Sequence, residues 1–243
     1  IQTIKAGSDM IIQNYDYKGS IDFIEEAVHD GLLTEARIDE SVLRILTLKS
    51  KLGLHLNRLT DLDTMHENLG TDNNLTISRR IMSEAITLVK DSLKNVPLKQ
   101  VDEDTVYIVD INDDANDHGL SIIRSELVRS LPHTKSFVVD HSDSPFEYAQ
   151  ILAEIPDSAT IIVNVFSRIQ MNKNRVLLWD IQSNFIDSLA AKSNRMIVTS
   201  FGSPYLIQAF PQLPTYLVTY SSQRAMQRAT ARAILGKSSI SGT

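Results

Sequence analysis

The chain has 243 residues, 42% of them apolar and 22% charged, which is enough to bury a core in one domain or two. It carries 24 basic against 30 acidic residues, a net charge of -6 with no Lys/Arg block, and this disfavours a nucleic-acid or membrane-surface role. The lack of Cys excludes disulfides, thiolate zinc sites and cysteine nucleophiles, and no run approaches the roughly 20 apolar residues of a membrane span.

The chain opens on Ile1-Gln2-Thr3-Ile4, already in regular structure, and closes on the polar turn Ser238–Thr243. An apolar start of this kind predicts an element whose neighbours lie upstream. From Ile21 to Leu54 the apolar period is helical. Ile24, Ala27 and Val28 share one face of a first helix, which Gly31 closes. Thr34 caps a second helix without a capping box, Ile38, Val42, Ile45 and Leu46 run down it, and Gly53 ends it. The polar stretch that follows, rich in Asp and Asn, reads as a linker.

Beyond it, Leu75–Glu84 reads as a helix and Ala85–Lys90 as a strand or helix end. Strands at Thr105–Ile111, Ser136–Asp140, Thr160–Phe166, Met196–Phe201 and Tyr216–Thr219 then alternate with helices. The helices are Leu120–Leu131, Pro145–Ile155, Val176–Ala191, Pro204–Phe210 and Gln223–Leu235. Runs such as Ile161-Ile162-Val163 are apolar on both faces, as a parallel strand covered by helices on both sides requires. The expected fold is therefore an α/β sandwich with a mostly parallel sheet and helices on both faces.

Loops at the carboxyl ends of such strands are where α/β sheets bind ligands. Asn112–Gly119 offers Asp113, Asp114, Asp117 and His118 for a cation or for acid–base work, but Asn/Asp/Gly turns also form for backbone reasons alone. Asp140-His141-Ser142-Asp143-Ser144 holds the residue types of a triad. Neighbours on one loop cannot all aim at one atom, however, and an N-cap at Asp143 or Ser144 ahead of Pro145 explains the sequence better. Ser167–Arg175 is basic and polar, either a solvated loop or a contact to a ligand or neighbouring domain. No glycine-rich phosphate cradle follows any strand and no paired-His zinc motif occurs, so neither a cofactor nor a metal is implied. The residues alone show no active site.

Several segments, taken in order, resemble glycoside hydrolase family 3. Ala6-Gly7-Ser8-Asp9-Met10 is similar to the family's Ala-Gly-x-Asp-Met near the last strand of its (β/α)₈ catalytic barrel. Glu26–Gly31, Ile38–Leu46 and Lys51–Leu54 resemble the helices that close that barrel. Ala85–Lys90 with Pro97-Leu98, Phe201–Tyr205 and Ala233–Gly236 resemble marks of the C-terminal α/β sandwich. The resemblance implies residues 1–56 as a helical remnant of the barrel, 57–74 as a linker and 75–243 as the sandwich. It implies a parent enzyme that cleaves terminal β-N-acetylglucosaminides with retention, through two catalytic groups.

In this family the nucleophilic Asp lies upstream of the Ala-Gly-x-Asp-Met stretch, so the resemblance leaves no catalytic residue in this chain. Asp9 is the one candidate for lying near substrate. β-Glucosidase-like members take their acid/base Glu from a sandwich loop, whereas N-acetylglucosaminidase-like members use a His on a barrel loop. Ser167–Arg175 has no Glu, which points to the second branch. The expected partners are a carbohydrate substrate, the rest of the barrel and, through exposed barrel helices, a second copy of the chain. Secretion or a periplasmic location is expected from the family alone. The competing expectation is a stand-alone α/β ligand-binding or interaction module, and a third is a β-glucosidase or β-xylosidase of the same family.

Overall fold

The computed structural model describes residues 1–12, 15–98, 104–113, 119–167 and 178–242. The chain divides into two compact units, Ile1–Thr71 and Asp72–Thr243.

The first unit is helical: α1 (Gln2–Lys5), α2 (Tyr17–His29), α3 (Glu35–Lys51) and the single turn α4 (Met65–Asn68). Asp16 starts α2 by accepting the Gly19 amide at 2.9 Å. Gly31, at φ +70°, lets the chain leave α2 in a left-handed turn in which the Leu32 and Leu33 amides return to the Ala27 carbonyl. Thr34 then opens α3, its hydroxyl accepting the Arg37 amide at 3.2 Å. The core of this unit is small, with Ile4, Ala27 and Leu33 buried and Ile1, Ile24, Val28 and Ile38 packed on them. Ile21, Phe23, Val42, Leu43 and Leu46 stay exposed on α2 and α3.

The second unit begins with α5 (Asp72–Glu84), β1 (Thr87–Asp91), β2 (Val106–Asn112), α6 (Ser121–Ser130), β3 (Thr134–Asp140) and α7 (Pro145–Glu154). It continues with β4 (Thr160–Phe166), α8 (Asp180–Lys192), β5 (Met196–Ser200), a 3₁₀ turn at Pro204–Gln208, β6 (Thr215–Val218) and α9 (Arg224–Ile234). The sheet runs β1-β6-β5-β4-β2-β3, parallel throughout except for β1, which pairs antiparallel with β6. Every residue of β2 and β4 is buried, as expected of apolar strands sandwiched between helices. One face packs Val109, Val163 and Val198 with Tyr148, Phe185 and Leu189 of α7 and α8. The other packs Ile108, Ile162 and Ile197 with Ile123 and Leu127 of α6 and Met226 and Ile234 of α9. β3 closes one end of the sheet and is only partly covered.

This is the α/β fold that the strand–helix alternation predicts. Local limits differ for local reasons. α5 begins at Asp72, three residues before the expected Leu75. The helix expected from Val176 begins at Asp180, where the Gln182 side chain accepts the Trp179 amide at 3.2 Å and fixes the start. Where an α-helix is expected over Pro204–Phe210, Pro204–Gln208 forms a 3₁₀ turn. Pro204 starts it, the Ser203 hydroxyl accepts the Tyr205 amide, and Pro211 follows before a full α-turn can build.

Candidate functional site

In the first unit, Gly7 sits at φ +105°, a conformation few side chains allow, and turns the chain so that Ser8 and Asp9 lie across α3. Arg37, Ser41 and Arg44 fall at i, i+4 and i+7 on one stripe of α3, and all three reach Asp9. Asp9 Oδ1 accepts from Ser41 Oγ at 2.8 Å, from Arg44 Nη1 at 3.1 Å and from both terminal nitrogens of Arg37 at 3.3 Å. Arg37 also donates to the carbonyls of Ile4 at 3.1 Å and Ser8 at 3.2 Å, and Glu40 pairs with Arg44. The Ser41 hydroxyl, ahead of Arg44 and Arg37, holds the Asp9 carboxyl below its usual range, against an opposing effect of burial. Next to this cluster is a cavity of about 340 Å³, walled by Ile4, Ile24, Ile38 and Ile45 with Asp9 and Ser41 on its lining. An Asp with this many donors is a fixed anion, poorly suited to take a proton or attack a carbon.

In the second unit, β3 lies on one side of β2 and β4 on the other, so the strand order reverses at β2 and the β2–β4 boundary is the switch point of the sheet. Just inside its carboxyl edge sits Asp110, fully buried and in register with Asn164 of β4, which in turn is in register with Thr199 of β5. Asn164 Nδ2 donates to Asp110 Oδ1 at 2.8 Å and Arg124 Nη1 donates to Oδ2 at 2.6 Å. Burial pushes the Asp110 carboxyl up to about 6, and the Asn164 and Arg124 bonds only partly offset it. Asn164 Oδ1 and Thr199 Oγ1 are buried without a partner among the described residues. The sequence does carry a signal for this row: a polar residue interrupts Val106–Asn112 and Thr160–Phe166 at the same fifth position, Asp110 and Asn164.

The candidate loops resolve unevenly. In Asp140–Ser144, the Ser142 amide and hydroxyl donate to Asp140 Oδ1 at 2.7 and 2.6 Å, and the Asp140 amide donates to Asp143 Oδ2 at 2.8 Å. Ser144 caps α7 in a reciprocal box with Glu147, with Pro145 at the first helical position. His141 stacks on Trp179 with ring centroids 4.9 Å apart. The carboxylates are thus used by turns, and Ser144 is the cap, so no triad forms. Of the loop after β2, Asp113 is buried with its amide on the Phe166 carbonyl, while 114–118 lie outside the described residues. Ser167 is buried, and a Cβ on Gly202 would overlap its carbonyl oxygen, so the two strand ends touch only because position 202 is Gly. Residues 168–175 lie outside the described residues. Among the described residues no group of three His, Asp or Glu side chains is placed to hold a metal.

No family model matches the chain. A β-N-acetylglucosaminidase/β-glucosidase from Cellulomonas fimi is 22% identical over 254 aligned residues, an alignment that takes in 100% of this chain and 44% of that protein. The chain is related to the glycoside hydrolases of family 3. A family 3 β-N-acetylglucosaminidase from Paenibacillus sp. str. FPU-7 superposes with a TM-score of 0.70 at 23% identity, over 100% of this chain and 46% of that one. A β-glucoside phosphorylase superposes equally well, with a TM-score of 0.70 at 25% identity, over 99% of this chain and 44% of that one. The matches fall on the C-terminal regions of these proteins, and the chain spans less than half their length. The sheet described above is the α/β fold of those regions.

Proposed function

We propose that this chain supplies the C-terminal part of a retaining family 3 glycosidase that removes terminal β-linked N-acetylglucosamine, and that it is inactive by itself. The observation that carries this reading is the alignment of the whole chain with the Cellulomonas fimi β-N-acetylglucosaminidase/β-glucosidase. Two features of the residues support it. Retention needs a nucleophile and an acid/base group on either side of the scissile bond. Asp9 is occupied by Arg37, Ser41 and Arg44, and Asp110 is buried inside a sheet, so neither is free to serve. The sequence 167–175 offers no Glu. The resemblance to the family's N-acetylglucosaminidase-like branch, in which both catalytic groups lie upstream of the Ala-Gly-x-Asp-Met stretch, assigns them to polypeptide ahead of Ile1, and the placement of Asp9 and Asp110 supports that assignment. In this arrangement Asp9 ties the 6–12 segment to α3, and the exposed apolar faces of α2 and α3 are the surfaces the remaining barrel covers. Without it, those faces promote self-association.

A second reading, action on β-glucosides, is favoured by the likeness to the β-glucoside phosphorylase. One experiment addresses both. Chromogenic N-acetyl-β-glucosaminide and β-glucoside are offered to the 243-residue chain and to a version extended upstream to a full barrel, each with and without phosphate. Turnover of the N-acetylglucosaminide by the extended protein alone is the expected result. Turnover by the short chain refutes the assignment of the catalytic groups, and a glucoside-only activity replaces the substrate.

A further inference from the structure

On the α5–α9 face of the second unit, we infer a binding site for a small doubly charged oxyanion, either inorganic phosphate or a phosphomonoester. The argument starts from spacing. Arg224, Arg228 and Arg232 stand at i, i+4 and i+8, one stripe of α9, and that helix contains no acidic residue. Arg224 is at the first helical position, where the helix dipole disfavours a cation, so helix stability does not explain the stripe.

Across from it, α5 presents Arg79 and, one turn on, Ser83. Between the helices is a cavity of about 270 Å³ lined by these two, by Arg228 and Arg232, and by the small side chains Ala225 and Ala229. Ser238, just past α9, also lines it, and its Oγ is buried without a partner among the described residues. The positive charge is poorly neutralised from within. Glu126 of α6 lies 3.5 Å from Arg228 Nε but is shared with Arg129, and among the described residues Arg232 bonds only the Lys237 carbonyl, at 3.4 Å. α5 adds Asp72 and Glu84, both exposed and neither on the lining of the cavity.

Three arginines line one recess, and an oxyanion matches them because the paired N–H donors of a guanidinium fit two oxygens and the two serine hydroxyls add further donors. Ala225 and Ala229 keep the floor low enough for close approach. At about 270 Å³ the cavity lies just below the usual range of small-molecule sites, room for a phosphoryl group with or without a small attached group. A chain of net charge -6 that concentrates arginines in a recess this small is suited to a small anion, not to a nucleic acid. This inference does not depend on the proposed glycosidase role.

The test is calorimetric titration of the 243-residue chain with inorganic phosphate and, separately, with glucose 6-phosphate, at constant ionic strength set by NaCl. A variant carrying Arg79→Gln and Arg232→Gln, both exposed side chains, is titrated beside it, with circular dichroism to confirm that it folds. Saturable binding that weakens at least tenfold in the folded variant is the expected result, since losing hydrogen bonds to a charged group costs about that much in affinity. Tighter binding of the sugar phosphate than of phosphate identifies a phosphomonoester as the occupant, and equal binding identifies phosphate itself. No saturable heat up to 10 mM (roughly the weak limit for a specific small-ligand site), equal binding by the folded variant, or binding of poly-glutamate in place of both phosphates overturns the inference.

Discussion

Asp110 shows how much one buried group can shape stability. Its carboxyl ordinarily titrates near 3.8 and in the fold is pushed up to about 6, chiefly by burial. Between those values the folded chain keeps a proton that the unfolded chain has lost, so this group makes stability fall as pH rises from about 4 to about 6 and level off above. The effect is on the order of 3 kcal/mol. Asp9 and Glu147, held below their usual range, act the other way, and the stability they add is lost as pH drops below the ordinary carboxylate range. We expect Asp110→Asn to flatten the decline between pH 4.5 and 6.5, because Asn can still accept from Asn164 and has no charge to desolvate. Urea melts of both proteins across that range check this, and parallel curves would refute it. The residue itself was legible as the odd polar position in an apolar strand. What the sequence did not disclose is its pairing with Arg124, 14 positions away on a helix.

At the scale of elements, capping shows where reading the sequence succeeds. Thr34, Ser144 ahead of Pro145, Gly31 and Gly53 punctuate the helices where turn chemistry predicts, because each acts through bonds to backbone three or four residues away. Ser144→Ala removes the hydroxyl that accepts the Glu147 amide while leaving the Ser144 amide on the Glu147 carboxylate, and should cost about 1 kcal/mol, read as a lower denaturation midpoint. Glu147→Gln, which keeps an acceptor at that position, should cost less. If Ser144→Ala leaves the midpoint unchanged, the box is ornamental to α7. The strands were legible for a similar reason, since complete burial makes β2 and β4 largely apolar runs, broken only by a few polar positions such as Asp110 and Asn164. Their order in the sheet was not, because the placement of β4 beside β2 instead of β3 rests on non-local packing that leaves no local trace. The Asp9 cluster was half legible: Arg37, Ser41 and Arg44 share a stripe in the sequence, yet only the left-handed turn at Gly7 brings Asp9 over it.

Across the whole molecule the two units are unequally secured. Among the described residues, Ile1–Thr71 buries three apolar side chains, whereas the sheet of the second unit carries twenty on one face and fifteen on the other. Stability of this kind is distributed in proportion to buried apolar area, so the first unit should open long before the second. Hydrogen exchange is expected to be fast throughout α2 and α3 and slowest in β2 and β4, and comparable protection in both would overturn the expectation. The partly covered strand β3 has a different consequence. Thr134–Asp140 ends the sheet with no strand paired on its outer side among the described residues, and Val138 is 47% exposed on it. Such a border is a template on which a second molecule can add its own strand, and that process ends in fibrils. Lys135, held to Glu154 at 2.7 Å, is the only charge between Thr134 and Val139. With Lys135→Val the border would read Thr-Val-Ser-Phe-Val-Val, and thioflavin fluorescence should rise with concentration well above that of the wild-type chain. In this view the lysine serves as a gatekeeper against misassembly, a duty set by its place at the rim and independent of the proposed glycosidase role.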